Sequence, residues 1–284
     1  MSASGLRFIK MHGIGNDYVF VNLFEDTVAD PPSLAQTVSD RHFGVGADGL
    51  VLIGPSDAAD VSMRIFNADG SEAEMCGNGI RCVAKFSREN GLAEGDDVAV
   101  ETQAGVKTIR VFMDGDRVTS ARVDMGLPGL RRADIPMTGK PNERCVDEPL
   151  GIPDVSHRAT CVSMGNPHAV VFVPDVEAAD IERIGPMIEN AADVFPQRIN
   201  VHVVQTLSRG EVRMRTWERG SGLTLACGTG ASAVCVAGAL TDRTGRSITA
   251  HLPGGDLQLE WADDDRVFMT GPAAEAFRGE WPAA

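Results

Sequence analysis

Residues 74–82 read EMCGNGIRC and residues 225–233 read LACGTGASA. In each, a cysteine is followed by glycine, a polar residue and a second glycine, and an apolar run begins. A free thiol is mostly protonated at neutral pH. The unpaired N–H groups and the macrodipole at a helix N-terminus favour its thiolate. Glycines beside it let the backbone come close to a ligand, so that main-chain N–H groups can hold a carboxylate. Cys76 and Cys227 therefore predict two acid–base thiols, each next to a carboxylate cradle. One thiol on either side of a bound molecule suits inversion of a stereocentre: one group removes a proton from carbon, and the other delivers a proton to the opposite face. No cofactor motif offers an electron sink, so the N–H groups must carry the carbanion-like charge. A redox pair would also account for two cysteines, but not for the cradles.

The elements that must position these thiols repeat along the chain. Met-Arg stands 13 residues before each cysteine, at Met63 and Met214. Gly-Asn segments place Asn16 and Asn166 60 and 61 residues before, and Asp-Arg-Val recurs 40 and 38 residues after, at Asp116 and Asp265. The pattern predicts two homologous halves, about residues 6–127 and 158–271, joined by a stretch rich in Pro, Gly and charge. The predicted domains are 1–127, with a tail of about 271–284 returning to it, and 128–270. DYVFVN, GLVLI, VSMRIF, VAVET, VKTIRVFM and RVTSARVDM read as strands. After Cys76, apolar Ile80, Val83, Ala84 and Phe86 form a helical stripe that stops at Asn90-Gly91. After Cys227, ASAVCVAGAL has no polar face, as in a helix buried on every side. The expected class is α+β: each half a curved β-sheet or barrel wrapped around a central helix, the cysteine at that helix's N-terminus, and the active site in a cleft between the halves.

Bulk properties narrow the partners. The chain has 284 residues, 43% of them hydrophobic, and a net charge of −14, which disfavours nucleic acid or an anionic membrane. No apolar run is long enough to span a bilayer, and the start lacks a secretory h-region, so a cytoplasmic enzyme is expected. The six cysteines are then expected to be reduced. Cys82 and Cys235, with Cys145 and Cys161, read as small buried hydrophobes. Without Cys-x-x-Cys or His-x-x-x-His, no metal site is expected.

Other candidates carry less specific signals. GVGADG at residues 44–49 matches the dinucleotide fingerprint, but a strand rather than a helix should follow it, so nucleotide binding is rejected. His168 lies beside Asn166 at a turn, as a structural histidine or a site residue. Glu218-Arg219 reads as a surface pair, and Arg219 also as a bidentate grip on a carboxylate. Asn16, Asn67, Asn78, Asn166 and Asn200 occupy turn-like positions where asparagine commonly serves the backbone.

Four segments together, MHGIGNDYVFVN, NADGSEAEMCGNGIRC, MGNPHAV and ERGSGLTLACGTGASA, resemble the signatures of the diaminopimelate epimerase family. The resemblance spans nearly the whole chain. It implies a cofactor-independent isomerase that interconverts LL- and meso-diaminopimelate on the route to lysine and peptidoglycan, and a homodimer. It also implies that Cys76 and Cys227 are the two acid–base thiols, and that Gly77-Asn78 and Gly228-Thr229 hold the reacting carboxylate. Asn16, Asn67, Asn166, Asn200 and Arg219 would bind substrate, the last four mainly at its distal centre. His168 and Glu218 would support proton transfer and the substrate amine. Some members carry Gln where this chain has Gly49. A proline racemase, from the same superfamily, usually shows His at the position of Asn78.

Overall fold

The computed structural model describes residues 5–282. They form two compact units, one running to Val123 and resuming at Gly271, the other Asp124–Thr270.

The first unit contains β1 (Leu6–Gly13), β2 (Asn16–Asn22), α1 (Pro31–Ser39), β3 (Gly49–Gly54), β4 (Val61–Asn67), β5 (Glu72–Ala73), α2 (Gly77–Glu89), β6 (Asp97–Thr102), β7 (Gly105–Asp114) and β8 (Arg117–Gly126). β1 and β2 form a hairpin, and β2 and β3 run parallel across the α1 crossover. β4 pairs antiparallel with β3 and parallel with β6, and β6, β7 and β8 complete a meander. α2 packs against β1, β2, β4, β6 and β7, strands from both ends of that order, so the sheet curls around it. Its apolar stripe (Ile80, Cys82, Val83, Ala84, Phe86) is buried. Asn90 ends it by donating from both its main-chain N–H and its Nδ2 to Phe86 O.

The second unit contains β9 (Glu148–Pro149), β10 (Arg158–Ser163), β11 (Pro167–Phe172), α3 (Ile181–Glu189), β12 (Asn200–Ser208), β13 (Glu211–Glu218), β14 (Gly222–Thr224), α4 (Gly228–Leu240), β15 (Ser247–Leu252), β16 (Gly255–Trp261) and β17 (Val267–Gly271). From β10 onward the pairings repeat those of the first unit: antiparallel β10/β11, parallel β11/β12 across α3, antiparallel β12/β13, and parallel β13/β15. α4 packs against β10, β11, β12, β15 and β16. It is buried on every face, because Gly, Ala, Ser, Cys and Val leave room for strands all round. Where the units differ is at one edge. β18 (Ala274–Trp281) covers β1, and only the two-residue β9 lies on β10. The α+β class expected from the sequence is the class observed, and among the described residues no helix is long and apolar enough to cross a membrane.

Glu189, at the end of α3, holds the turn that follows β13. Its buried carboxylate accepts from Trp217 Nε1 at 2.7 Å, Gly220 N at 2.9 Å and Arg198 Nη2 at 2.6 Å. Replacing Glu189 with Ala removes the acceptor of all three donors, and should lower unfolding stability by about 2–4 kcal/mol in urea titrations.

Candidate active site

Each helix bearing a motif cysteine starts the same way. Cys76 and Cys227 have extended backbones (φ −135°, ψ 119° and φ −134°, ψ 104°), and each is the N-cap of its helix. Cys76 Sγ accepts from Gly79 N–H at 3.4 Å, and Cys227 Sγ accepts from Gly230 N–H at 3.3 Å. The sulfur thus fills the place that a serine or aspartate oxygen usually takes at a cap. Cys82 and Cys235 lie inside the same two helices. Burial pushes the Cys82 and Cys235 thiols up to about 12, so both stay protonated.

Around Cys76 the first unit gathers neutral groups. Tyr18 Oη donates to Sγ at 3.6 Å, and the thiol donates to Asn16 Oδ1 at 3.5 Å. Asn78 Nδ2 donates to the same Oδ1 at 3.2 Å. Asp48 accepts from Asn16 Nδ2 at 2.7 Å and is itself held by Arg41 at 2.8 Å. This fixes the amide of Asn16 with its oxygen toward Cys76. Burial, followed by the neighbouring Cys76, raises the Tyr18 hydroxyl well above its ordinary value, so it remains a donor. Beneath the helix start, the fully buried Arg81 donates to Gly77 O at 3.1 Å, Asn78 Oδ1 at 3.0 Å and Pro272 O at 3.2 Å. A guanidinium is the one side chain with enough donors, at the right spread, to hold a turn and an amide together. Asn67 lies opposite Gly49 in the β3/β4 register and donates from Nδ2 to Ser71 Oγ at 2.9 Å.

Around Cys227 the second unit gathers imidazoles. His168, His202 and Cys227 each bring one ligand-type atom within 4.8 Å of the others, all buried. His168 Nε2 bonds Asn166 Oδ1 at 2.9 Å, its Nδ1 bonds His202 Nε2 at 2.9 Å, and His202 Nδ1 bonds Thr216 Oγ1 at 3.0 Å. The two ring centroids are 5.1 Å apart, so the rings lie nearly end to end. The two facing nitrogens form a donor–acceptor pair with each other, which suits a hydrogen-bond chain better than a metal. Burial pushes His168 well below its ordinary value and His202 down to about 3, so both are neutral at physiological pH. Thr229 Oγ1 lies 3.6 Å from Cys227 Sγ. Asn200 joins the turn: its Oδ1 accepts from Arg219 N–H, and its Nδ2 donates to Pro167 O, both at 2.9 Å. Glu218 accepts from Thr224 Oγ1 at 2.6 Å, and Arg219 donates to Gln197 O at 2.9 Å.

The chain matches the family model described as diaminopimelate epimerase over residues 8–130 and 160–275. A diaminopimelate epimerase of Moorella thermoacetica is 54% identical over 98% of this chain and 99% of its own length. One from Methanococcus maripaludis is 47% identical over 97% and 99%. This chain belongs to the diaminopimelate epimerase family. Among solved structures it shares its fold with a phenazine biosynthesis protein from Bacillus anthracis (TM-score 0.72, 16% identity, 98% of this chain and 99% of the other). It also shares it with a hydroxyproline epimerase from Agrobacterium vitis (TM-score 0.67, 17% identity, 98% and 91%).

Aligned on the repeat, Tyr18 corresponds to His168, Gly49 to Asn200, Asn67 to Glu218 and Ala68 to Arg219. The registers agree, since Tyr18 pairs with Gly49 and His168 with Asn200. The structure supplies a reason for Gly49: a Cβ there would collide with the main-chain oxygen of Phe66. Sequence reasoning missed Tyr18, Asp48, Arg81 and His202. Tyr18 and His202 sit inside apolar strand runs and read as core. The repeat could have found Tyr18, as the counterpart of His168. The GVGADG segment precedes strand β3, with α1 before it, as expected for a turn that is not a nucleotide loop.

The second glycine of each motif differs in purpose. A Cβ on Gly230 would lie inside the van der Waals radius of the His202 ring, whereas one on Gly79 would meet only the flexible end of Met63, at 3.3 Å. Gly230→Ala should therefore cost about 1–3 kcal/mol, and Gly79→Ala should be near neutral, since overpacking is weak there and alanine favours the helix. Paired thermal melts would check this. His202 also predicts a pH dependence. Its folded pKa of about 3 lies below the unfolded value, so its contribution is complete above about pH 6.5 and is lost as pH falls toward 3. At pH 5 it should have removed about 2 kcal/mol, visible as an acid-side fall in the urea midpoint that is shallower in His202→Phe.

Proposed function

We propose that the protein is a cofactor-independent epimerase of diaminopimelate, using Cys76 and Cys227 as the acid–base pair. The observation that carries this reading is the duplicated N-cap: two thiols, each bonded to the N–H three residues on, each at the start of a helix whose first turn is free of acidic side chains. In the reaction, a thiolate takes the α-proton. The S–H bond forms, the Cα–H bond breaks, and its electron pair moves into the adjacent carboxylate. The other thiol then gives its proton to the opposite face of the carbon. Reversal uses the same groups in exchanged roles, as a reaction near equilibrium requires.

The charge developing on the carboxylate is met by main-chain N–H groups at Gly77-Asn78 and Gly228-Thr229. The side chain of Asn78, held by Arg81, adds a donor. Asn16 and Tyr18 would tune Cys76, with His168 beside Cys227. Asn67, Asn166, Asn200 and Arg219 would grip the distal amino-acid end, and Glu218 the ammonium group. The substrate has two chiral ends, so this grip decides which centre reaches the thiols, and its binding energy helps expel water. The enzyme is proposed to work in the cytoplasm as a homodimer, in lysine and peptidoglycan precursor synthesis.

The test is incubation with LL-diaminopimelate in heavy water with no added cofactor. Deuterium should enter the α position as the meso isomer appears. Cys76→Ala and Cys227→Ala should each cut conversion by at least about 10²–10⁴-fold. A folded, reduced protein giving neither exchange nor conversion would overturn the reading.

A further inference from the structure

We propose that His202, two hydrogen bonds from Asn166, holds the tautomer of His168 in a buried hydrogen-bond chain and thereby keeps Asn166 a donor that selects a carboxylate at the substrate's distal end. This deepens the reading above and rests on Asn166 being a substrate-binding residue.

Four residues share the protons of the chain. Asn166 Oδ1 can only accept, so His168 Nε2, 2.9 Å away, must carry the hydrogen. A neutral imidazole carries one N–H, so His168 Nδ1 is then an acceptor. His202 Nε2, 2.9 Å from that nitrogen, must be its donor, and His202 Nδ1 is in turn an acceptor. The chain closes on Thr216, whose hydroxyl, 3.0 Å away, can donate. Every ring nitrogen is satisfied by one direction of travel, Thr216 to His202 to His168 to Asn166. The end-to-end rings make the central bond short and nearly linear. Both rings are fully buried, so water cannot substitute for a missing donor.

The consequence falls on the amide of Asn166. With its oxygen engaged by His168, the group left to face a ligand is the NH₂, which recognises an acceptor. Reversing the chain would turn the amide over and offer a carbonyl oxygen, which recognises an ammonium. Both groups are present on the distal carbon of the proposed substrate, so the chain's direction selects between them. His202 is a positioning residue here. It acts through His168, and Gly230 is what lets its ring lie against the start of α4.

The experiment reads tautomers and kinetics together. Two-bond ¹H–¹⁵N couplings in the ¹⁵N-histidine-labelled protein should show both His168 and His202 protonated at Nε2. His202→Gln, whose Nε2 can still donate to His168 Nδ1, should keep the His168 tautomer, with KM within about twofold of the parent. His202→Leu should give His168 a mixed tautomer and raise KM for diaminopimelate about tenfold, with kcat changing less, as loss of one buried hydrogen bond implies. The penalty for an analogue lacking the distal carboxylate, such as lysine, should also shrink in His202→Leu. Nδ1-protonated rings in the parent protein would overturn the proposal, as would a Leu variant with an unchanged His168 tautomer and unchanged KM. The tautomers are measured without substrate. A parent protein with the predicted tautomers but no epimerase activity would therefore defeat the proposed reaction while leaving the chain's direction established.

Discussion

The structure depends on one small interaction made twice: a cysteine sulfur accepting the N–H three residues ahead of it, at the first turn of a helix. It requires an extended cysteine followed at once by helical backbone. That keeps the side chain at the open end of the helix, next to N–H groups that have no partner within the helix. An anion at such a place gains about 0.3–1 kcal/mol when exposed and up to about 2 kcal/mol when partly buried. That is too little to make a thiol a strong base, but it is supplied before any substrate arrives and requires no rearrangement. Both α2 and α4 serve this end. They are packed by strands from both edges of their sheets, so their N-termini cannot wander.

On this duplicated frame the two units have placed different chemistry. At matched places of the repeat the first unit has Tyr18, Gly49, Asn67 and Ala68, and the second has His168, Asn200, Glu218 and Arg219. The first unit provides neutral donors and acceptors around its thiol, with Asp48 one hydrogen bond further out and Arg41 and Arg81 two. The second carries a carboxylate and a guanidinium on adjacent residues, Glu218 and Arg219, at the end of β13. A substrate with two amino-acid ends, of which only one reacts, needs this inequality. A perfectly symmetric pair of sites could not tell the ends apart.

Polar groups are buried at both sites, and nearly all are satisfied by specific partners. Arg81 is fully buried and ties the first turn of α2 to Asn78 and to the main chain ahead of β18. Glu189 ties the turn after β13 to the end of α3. Each such group is costly to desolvate, and breaking one bond leaves its partner exposed to that cost. The resulting network specifies one arrangement of the turns that carry Asn78, Asn200 and Arg219. The His168–His202 pair extends the same logic to tautomers.

The sequence by itself determined a good deal. The repeat, the α+β class, the strands around each helix and the two motif cysteines follow from spacing, alternation and turn residues, all of which are local or periodic signals. The packing of Cys82 and Cys235 as inert thiols was equally legible, because they sit on apolar helix faces. Tyr18 and His202 were not, since each lies in a strand run of Val, Phe and Leu where one polar residue looks like noise. Arg81 is a charged residue one turn into a helix, and nothing local marks it as fully buried. What only the tertiary structure decided is which of these side chains meet. Asn16 reaches Cys76 across 60 residues, and His202 reaches His168 across 34. Such contacts are set by strand register and by how closely a glycine lets a ring approach a helix. Neither quantity leaves a periodic trace along the chain.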